Sequence, residues 1–199
     1  MQTIAITGAA GGLGAAVVQR LEPTYRCLTP TRETLDLSSE TSVKAWFAQA
    51  GDLYALVHLV GGFAPGKLAG TTLDTWTKML ATNTTAAFLA IRESLPRLTR
   101  PGRIIAISSF ATVTPQAGAT AYTVSKAALN ALIQTTAAEL RGTGITVNAL
   151  LPDSMATPAM REEMDAAKLV PLPDVTETIA WLLSETAAGV TGTLLPIRK

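Results

Sequence analysis

Cysteine and histidine occur once each in this chain of 199 residues, and charged residues make up only 16% of it. The lone Cys27 excludes an intrachain disulfide. Lying in the apolar stretch from Tyr25 to Leu28, it is expected to be an inert buried thiol. With one histidine and one cysteine, no metal site is expected. No apolar run approaches the ~20 residues of a bilayer span. The N-terminus lacks the basic region and long apolar core of a signal peptide, and Gln2 to Thr7 reads as a strand. A cytoplasmic protein without membrane contact is therefore expected. Net charge is +1 with no basic run, so nucleic-acid binding has no electrostatic footprint.

Apolar residues account for 48% of the chain, and much of it should be buried. The length suits a single domain over residues 1–199, and no internal repeat or linker divides it. Short β-branched runs alternate with helical periods. Strands are expected at Thr3–Thr7, Arg26–Thr29, Thr34–Asp36, Ala55–Val60, Arg103–Ile107, Thr146–Leu150 and Thr193–Ile197. Helices are expected at Gly12–Leu21, Ser39–Ala50, Leu73–Leu98, Ala121–Arg141 and Val175–Ser184. Several strands are continuous apolar runs, as in parallel sheets covered on both faces. The pattern predicts an α/β fold: a Rossmann-like, doubly wound, mostly parallel sheet of seven strands with helices on both faces. Only Pro30 to Glu33 separate the second strand from the third, which predicts a shortened crossover and a thin exposed edge. Pro101-Gly102 reads as the end of a long helix. Asp174 and Glu177 resemble a capping box for the last helix, with Pro171 and Pro173 keeping the preceding segment non-helical.

Thr7-Gly8-Ala9-Ala10-Gly11-Gly12-Leu13-Gly14 follows a strand and opens a helix. Phosphate binding at such a turn needs backbone N–H donors and no Cβ in the way, and the helix N-terminus adds partial positive charge. The spacing is Gly-x-x-x-Gly-x-Gly, and in this context it points to a dinucleotide.

Tyr122 and Lys126 are four residues apart, one helical turn on one face. A free tyrosine has a pKa of about 10 and needs a neighbouring cation to exchange protons near neutral pH. Ser109 ends an expected strand thirteen residues before Tyr122, at the carboxyl edge where α/β sheets bind ligands. Asn83 falls within the long helix from Leu73, where an amide is a mediocre helix former. Each residue is ordinary alone; the ordered set is specific.

This set resembles the short-chain dehydrogenase/reductase family over nearly the whole chain. The resemblance implies that Tyr122 is the general acid–base and that Lys126 binds the nicotinamide ribose and lowers the tyrosine pKa. It implies that Ser109, rather than Ser108, orients the substrate carbonyl and that Asn83 helps hold a water in a proton relay. Gly8, Gly12, Leu13, Gly14 and Gly61 inherit cofactor contacts. Asp36, with Leu37, matches the acidic position near the adenine. Asn148-Ala-Leu-Leu-Pro152-Asp-Ser-Met-Ala-Thr157 resembles the segment at the nicotinamide end, which assigns cofactor contacts to Pro152, Met155 and Thr157. The implied partner is a small-molecule carbonyl compound. A homodimer or homotetramer is implied through the helices Leu73–Leu98 and Ala121–Arg141.

Two places depart from the family. Asp153 replaces a glycine, which places a carboxylate near the substrate. His58 and Leu59 replace two asparagines; His58, among apolar residues in a strand, is read as structural. Val60-Gly-Gly-Phe-Ala-Pro-Gly66 and Leu151 to Met160 resemble dihydropteridine reductases, although that subgroup generally lacks the serine kept here as Ser109. Phe63 and Pro65 would form one wall of a shallow site, with Met155, Met160 and Met164 lining the pocket or packing the core. After the second strand, Thr29, Thr31 and Arg32 suit a 2′-phosphate, with Glu33 close by, and favour NADP(H) over NAD(H). A dihydropteridine-reductase-like activity and a non-catalytic dinucleotide sensor are the competing readings.

Overall fold

The computed structural model describes residues 1–199. Six parallel strands form one sheet in the order β2-β1-β3-β4-β5-β6. They are β1 Thr3–Thr7, β2 Arg26–Leu28, β3 Leu53–His58, β4 Leu98–Ile107, β5 Ile145–Pro152 and β6 Leu194–Ile197. The helices are α1 Gly14–Leu21, α2 Glu40–Gln49, α3 Leu73–Leu80, α4 Ala86–Ser94, α5 Thr120–Glu139, α6 Pro158–Glu163 and α7 Leu172–Leu183.

Alternation along each strand divides the core in two. Ala5, Leu56, Ala106, Val147 and Ala149 face one side with Val43, Phe47, Ala87, Leu129 and Ile133. That layer is built by α2, α4 and α5. Ile4, Ile6, Val57, Ile105 and Leu150 face the other side with Val17, Leu21, Val175 and Ile179, the inward residues of α1 and α7. The doubly wound α/β expectation is met, with six strands in place of seven.

The missing strand is Thr34–Asp36. Thr34 Oγ1 donates to the Thr31 carbonyl and Ser38 donates to Asp36, so local side-chain bonds bend this segment into turns. Without that strand the short crossover disappears. The chain passes from β2 through these turns into α2, which carries it across β1 to β3. The edge is thin as expected, because β2 has three residues.

Other boundaries differ for physical reasons. The helix expected over Leu73–Leu98 is α3, a π-helical turn at Ala81–Thr85, then α4. It ends near Pro96, in a 3-10 turn at Leu95–Arg97, so Pro101-Gly102 lies inside β4. Leu98 pairs with Leu53 before an irregularity, after which Arg103 pairs with Ala55. In α7, Pro173 occupies the first turn, where proline loses no helical hydrogen bond. Asp174 is therefore inside the helix and caps nothing. Glu177 instead takes a bidentate bond from Arg20 of α1, at 2.6 and 2.8 Å. No helix is long and apolar enough to cross a membrane.

Candidate active site

The carboxyl ends of β1, β3, β4 and β5 converge with the π-helical turn and the start of α5. At the glycine turn Gly8 has φ +82°, a left-handed conformation that favours glycine. A Cβ there would lie 3.0 Å from the Val60 nitrogen. A Cβ on Gly14 would lie 2.3 Å from the Gly8 carbonyl oxygen, and one on Gly12 would lie 3.0 Å from Thr157 Cβ. The turn thus packs tightly against the end of β3 and the start of α6. Gly11 and Gly12 face solvent. Leu13 is buried and packs its side chain in the core with Ile4, Val17 and Leu21.

Gly61 marks the centre of the convergence. A Cβ on it would lie 2.9 Å from both Asn83 Oδ1 and Lys126 Nζ, so these two atoms flank one point. Asn83 is fully buried in the π-helical turn, a local widening that turns its amide inward. Its Oδ1 accepts from Gly62 N–H (2.8 Å), and its Nδ2 donates to Gly62 O (3.0 Å) and to Ser125 Oγ (2.9 Å). Its side chain is thus a latch between the β3 loop and α5. Thr84 Oγ1 adds a second latch by donating to the Ser125 carbonyl (2.8 Å). Ser125 is a site residue that sequence reasoning passes over. Its only signal is that it sits beside Lys126, three residues after Tyr122.

Tyr122 and Lys126 are on the first turns of α5. Ser125 Oγ donates to the Tyr122 carbonyl at 2.7 Å. Burial pushes the Tyr122 phenol above its ordinary range, and the Ser109 hydroxyl acts in the opposite direction. Lys126 is buried, its Nζ donates to the Ile107 carbonyl (2.8 Å), and burial lowers its pKa to about 8. Phe63, 62% exposed, packs against Tyr122 edge to face with ring centroids 5.0 Å apart. Ser109 is buried at the end of β4, where its Oγ accepts from Ala111 N–H (3.2 Å). Ser108 instead donates to the Lys126 carbonyl (3.3 Å) and ties β4 to α5.

The remaining expected residues lie around this cluster. Pro152 ends β5 opposite Ile197, and Asp153 is exposed with its carboxylate capping Ser154 N–H (2.9 Å). Met155 packs on the α1/α7 core, which supports packing over pocket lining. Thr157 caps α6 beside Gly12. Asp36 and Leu37 lie in the turns after β2, apart from the central cluster. Asp36 accepts from Ser38 N–H (2.9 Å) and Oγ (2.6 Å), bonds that hold its carboxyl below the usual range, with Arg32 adding a smaller pull. Leu37 packs on the α4/α5 core. Arg32 is exposed and acts on both Asp36 and Glu33. An open groove of about 480 Å³ runs along the glycine turn, lined by Ala9, Ala10, Val18, Glu22, Thr29 and Thr31 among others. Cys27, half-buried beside it in sequence, has a thiol pKa raised by burial.

A dinucleotide fits this arrangement. The glycines leave the backbone bare at the α1 N-terminus, where a phosphate would be held, and Lys126 Nζ borders Gly61.

The comparisons agree with the geometry. A family model described as enoyl-(acyl carrier protein) reductase matches residues 3–198. The chain is 29% identical to 2,5-dichloro-2,5-cyclohexadiene-1,4-diol dehydrogenase LinX of Sphingobium indicum, covering 96% of this chain and 92% of that one. It is 30% identical to 3beta-hydroxysteroid dehydrogenase 1 of Eggerthella lenta, covering 98% and 91%. A crystal structure of a dehydrogenase/reductase from Sinorhizobium meliloti matches with a TM-score of 0.86 at 27% identity, covering 98% and 93%. With a parallel sheet wound on both faces and a matching model over almost its full length, this chain belongs to the short-chain dehydrogenase/reductase family of NAD(P)-dependent oxidoreductases.

Proposed function

We propose that this protein is a carbonyl reductase or alcohol dehydrogenase that uses Tyr122 as its general acid–base. The observation that carries this reading is the Tyr122 phenol held beside Ser109, one helical turn from a buried lysine. A bound nicotinamide would supply or accept hydride at the substrate carbon. Tyr122 gives its proton to the carbonyl oxygen in reduction and takes it back in oxidation. Ser109 donates a hydrogen bond to the same oxygen and restrains it near the phenol. Lys126 presents its remaining N–H donors to the ribose hydroxyls beside Gly61. Burial disfavours the phenolate, and Lys126, together with the positive charge of a bound oxidised nicotinamide, would act against it to lower the tyrosine pKa.

NADP(H) is the favoured cofactor. Thr29 and Thr31 line the groove and Arg32 follows them, while Glu22 on the groove's wall and Glu33 oppose a phosphate. The substrate is a small or flat carbonyl compound, because Phe63 leaves an exposed apolar ring against Tyr122. The same ring favours a second reading, reduction of a quinonoid dihydropteridine. Phe88 and Val124, 42% and 40% exposed on α4 and α5, support self-association through these helices.

The experiment is oxidation of NADPH and NADH against a panel of ketones, quinones and pterins. Tyr122→Phe should abolish turnover and spare cofactor binding; retained turnover would sink the assignment. Ser109→Ala separates the two readings. A ketone reductase loses most activity, whereas a pteridine reductase built without this serine tolerates the change. Cofactor binding without turnover on any panel member would favour the sensor reading.

A further inference from the structure

Lys126 follows Tyr122 by one turn of α5, and Asn130 follows Lys126 by one turn more. Asn130 is buried, yet its amide is only half used. Nδ2 donates to Thr112 Oγ1 at 2.9 Å, while Oδ1 is buried without a hydrogen-bond partner. A buried acceptor left bare is costly, so an amide here is a poor choice for stability alone.

The partner of Asn130 leads back to the site. Thr112 ends the 3-10 turn Phe110–Thr112, which opens at Ser109. Thr112 Oγ1 donates to the Ser109 carbonyl (2.8 Å), and Thr112 N–H donates to the same oxygen (3.2 Å). The directions are fixed by the number of protons. A threonine hydroxyl has one, and the Ser109 carbonyl takes it, so Oγ1 can only accept from Asn130. Turning the amide over would set two acceptors against each other. Ser109 Oγ in turn accepts from Ala111 N–H (3.2 Å), which leaves its own proton free to be donated. The backbone of this turn therefore sets both the place of the Ser109 hydroxyl and its role as a donor.

We propose that Thr112 and Asn130 are positioning residues for Ser109: the hydrogen-bond chain from Asn130 Nδ2 through Thr112 Oγ1 to the Ser109 carbonyl fastens the turn to α5 and keeps the serine hydroxyl in place relative to Tyr122. The helix that carries Tyr122 and Lys126 thereby also anchors the serine, and the groups share one rigid support. Thr112 and Asn130 act only through Ser109. The inference rests on the reading of Ser109 as the group that bonds the carbonyl oxygen.

Amide hydrogen exchange of the whole protein, followed by NMR, tests the fastening without turnover. Thr112→Val and Asn130→Leu should speed exchange at Ala111 and Thr112 by about tenfold or more, and leave the Gly62 amide, held by Asn83, as it was. Unchanged exchange at Ala111 and Thr112 overturns the proposal. The second readout is NADPH-dependent reduction of phenanthrenequinone, a flat dicarbonyl. In both variants kcat should fall by about tenfold, with KM for NADPH unchanged. Thr112→Ser, which keeps the hydroxyl, should restore kcat. In a Ser109→Ala background neither change should cost more, because both act through the serine. Asn130→Leu should melt no lower than the native chain, since it removes the bare Oδ1. Losses that add to that of Ser109→Ala, or a Thr112→Ser no better than Thr112→Val, overturn the proposal. The two readings fail differently. A harmless Ser109→Ala sinks the role of the serine itself, whereas a damaging Ser109→Ala beside a harmless Thr112→Val sinks this inference alone.

Discussion

The absence of one Cβ at Gly61 keeps Asn83 and Lys126 facing a common point. Gly61→Ala would put a methyl group 2.9 Å from both Asn83 Oδ1 and Lys126 Nζ. The amide is held by Gly62 N–H, so the lysine must give way. Turnover should fall roughly ten- to hundred-fold with little loss of stability, since positioning errors of this size act mainly on the rate. Steady-state kinetics beside a thermal melt would check it; unchanged kinetics would mean that Lys126 has room to spare. At this scale the sequence was informative about residue type and spacing. Tyr122, Lys126, Ser109 and Asn83 were legible as a set because their order and spacing match the family's pattern. The partners of Asn83 were not legible, because Gly62 and Ser125 are distant in the chain and meet only through packing.

Among the elements, the π-helical turn at Ala81–Thr85 matters most to the site. One widened turn carries Asn83 inward to Gly62 and Ser125, while Thr84 holds the Ser125 carbonyl. Asn83→Ala would leave the Gly62 amide, the Gly62 carbonyl and the Ser125 hydroxyl without this partner. The expected loss is about 2–4 kcal/mol, the cost of stranding partly buried polar groups. A lower urea midpoint with an unchanged slope is the signature. An unchanged midpoint would show that water replaces the amide. Helical periodicity continues smoothly from Leu73 past this point, so the sequence reads one helix where the structure has two and a widened turn. The strand expected at Thr34–Asp36 fails for a related reason. Three β-compatible residues are weaker than the local bonds of Thr34 and Asp36 when no neighbouring strand competes for them.

For the whole molecule, two buried bases set a pH dependence of stability. His58 has a folded pKa of about 3 against the ordinary 6.5. Between these values the unfolded chain binds a proton that the folded chain refuses. Stability is therefore full above 6.5 and declines as pH falls toward 3, by on the order of a few kcal/mol. Lys126 has a folded pKa of about 8 against 10.5, so stability rises with pH across that window as the cost of burying its charge vanishes. Urea midpoints for the native chain and His58→Gln from about pH 4 to about pH 10 would test this. The acid-side decline should be steeper in the native chain than in the variant, because ordinary carboxylates are common to both. Parallel curves would refute the assignment to His58.

By itself the sequence determined the α/β winding, the glycine turn and the family to which the ordered set Asn83, Ser109, Tyr122 and Lys126 points. These depend on local matters: apolar runs that must be covered on both faces, glycines where a Cβ would collide, and a tyrosine and lysine one turn apart. Tertiary structure decided that the sheet has six strands, that Asn83 is a latch, and that Lys126 is buried against Ile107 beneath Gly61. It also buried His58 at the end of β3, with Nδ1 against Thr7 Oγ1. Burial and long-range hydrogen bonds set those outcomes, and both depend on which distant residues the folded sheet brings side by side.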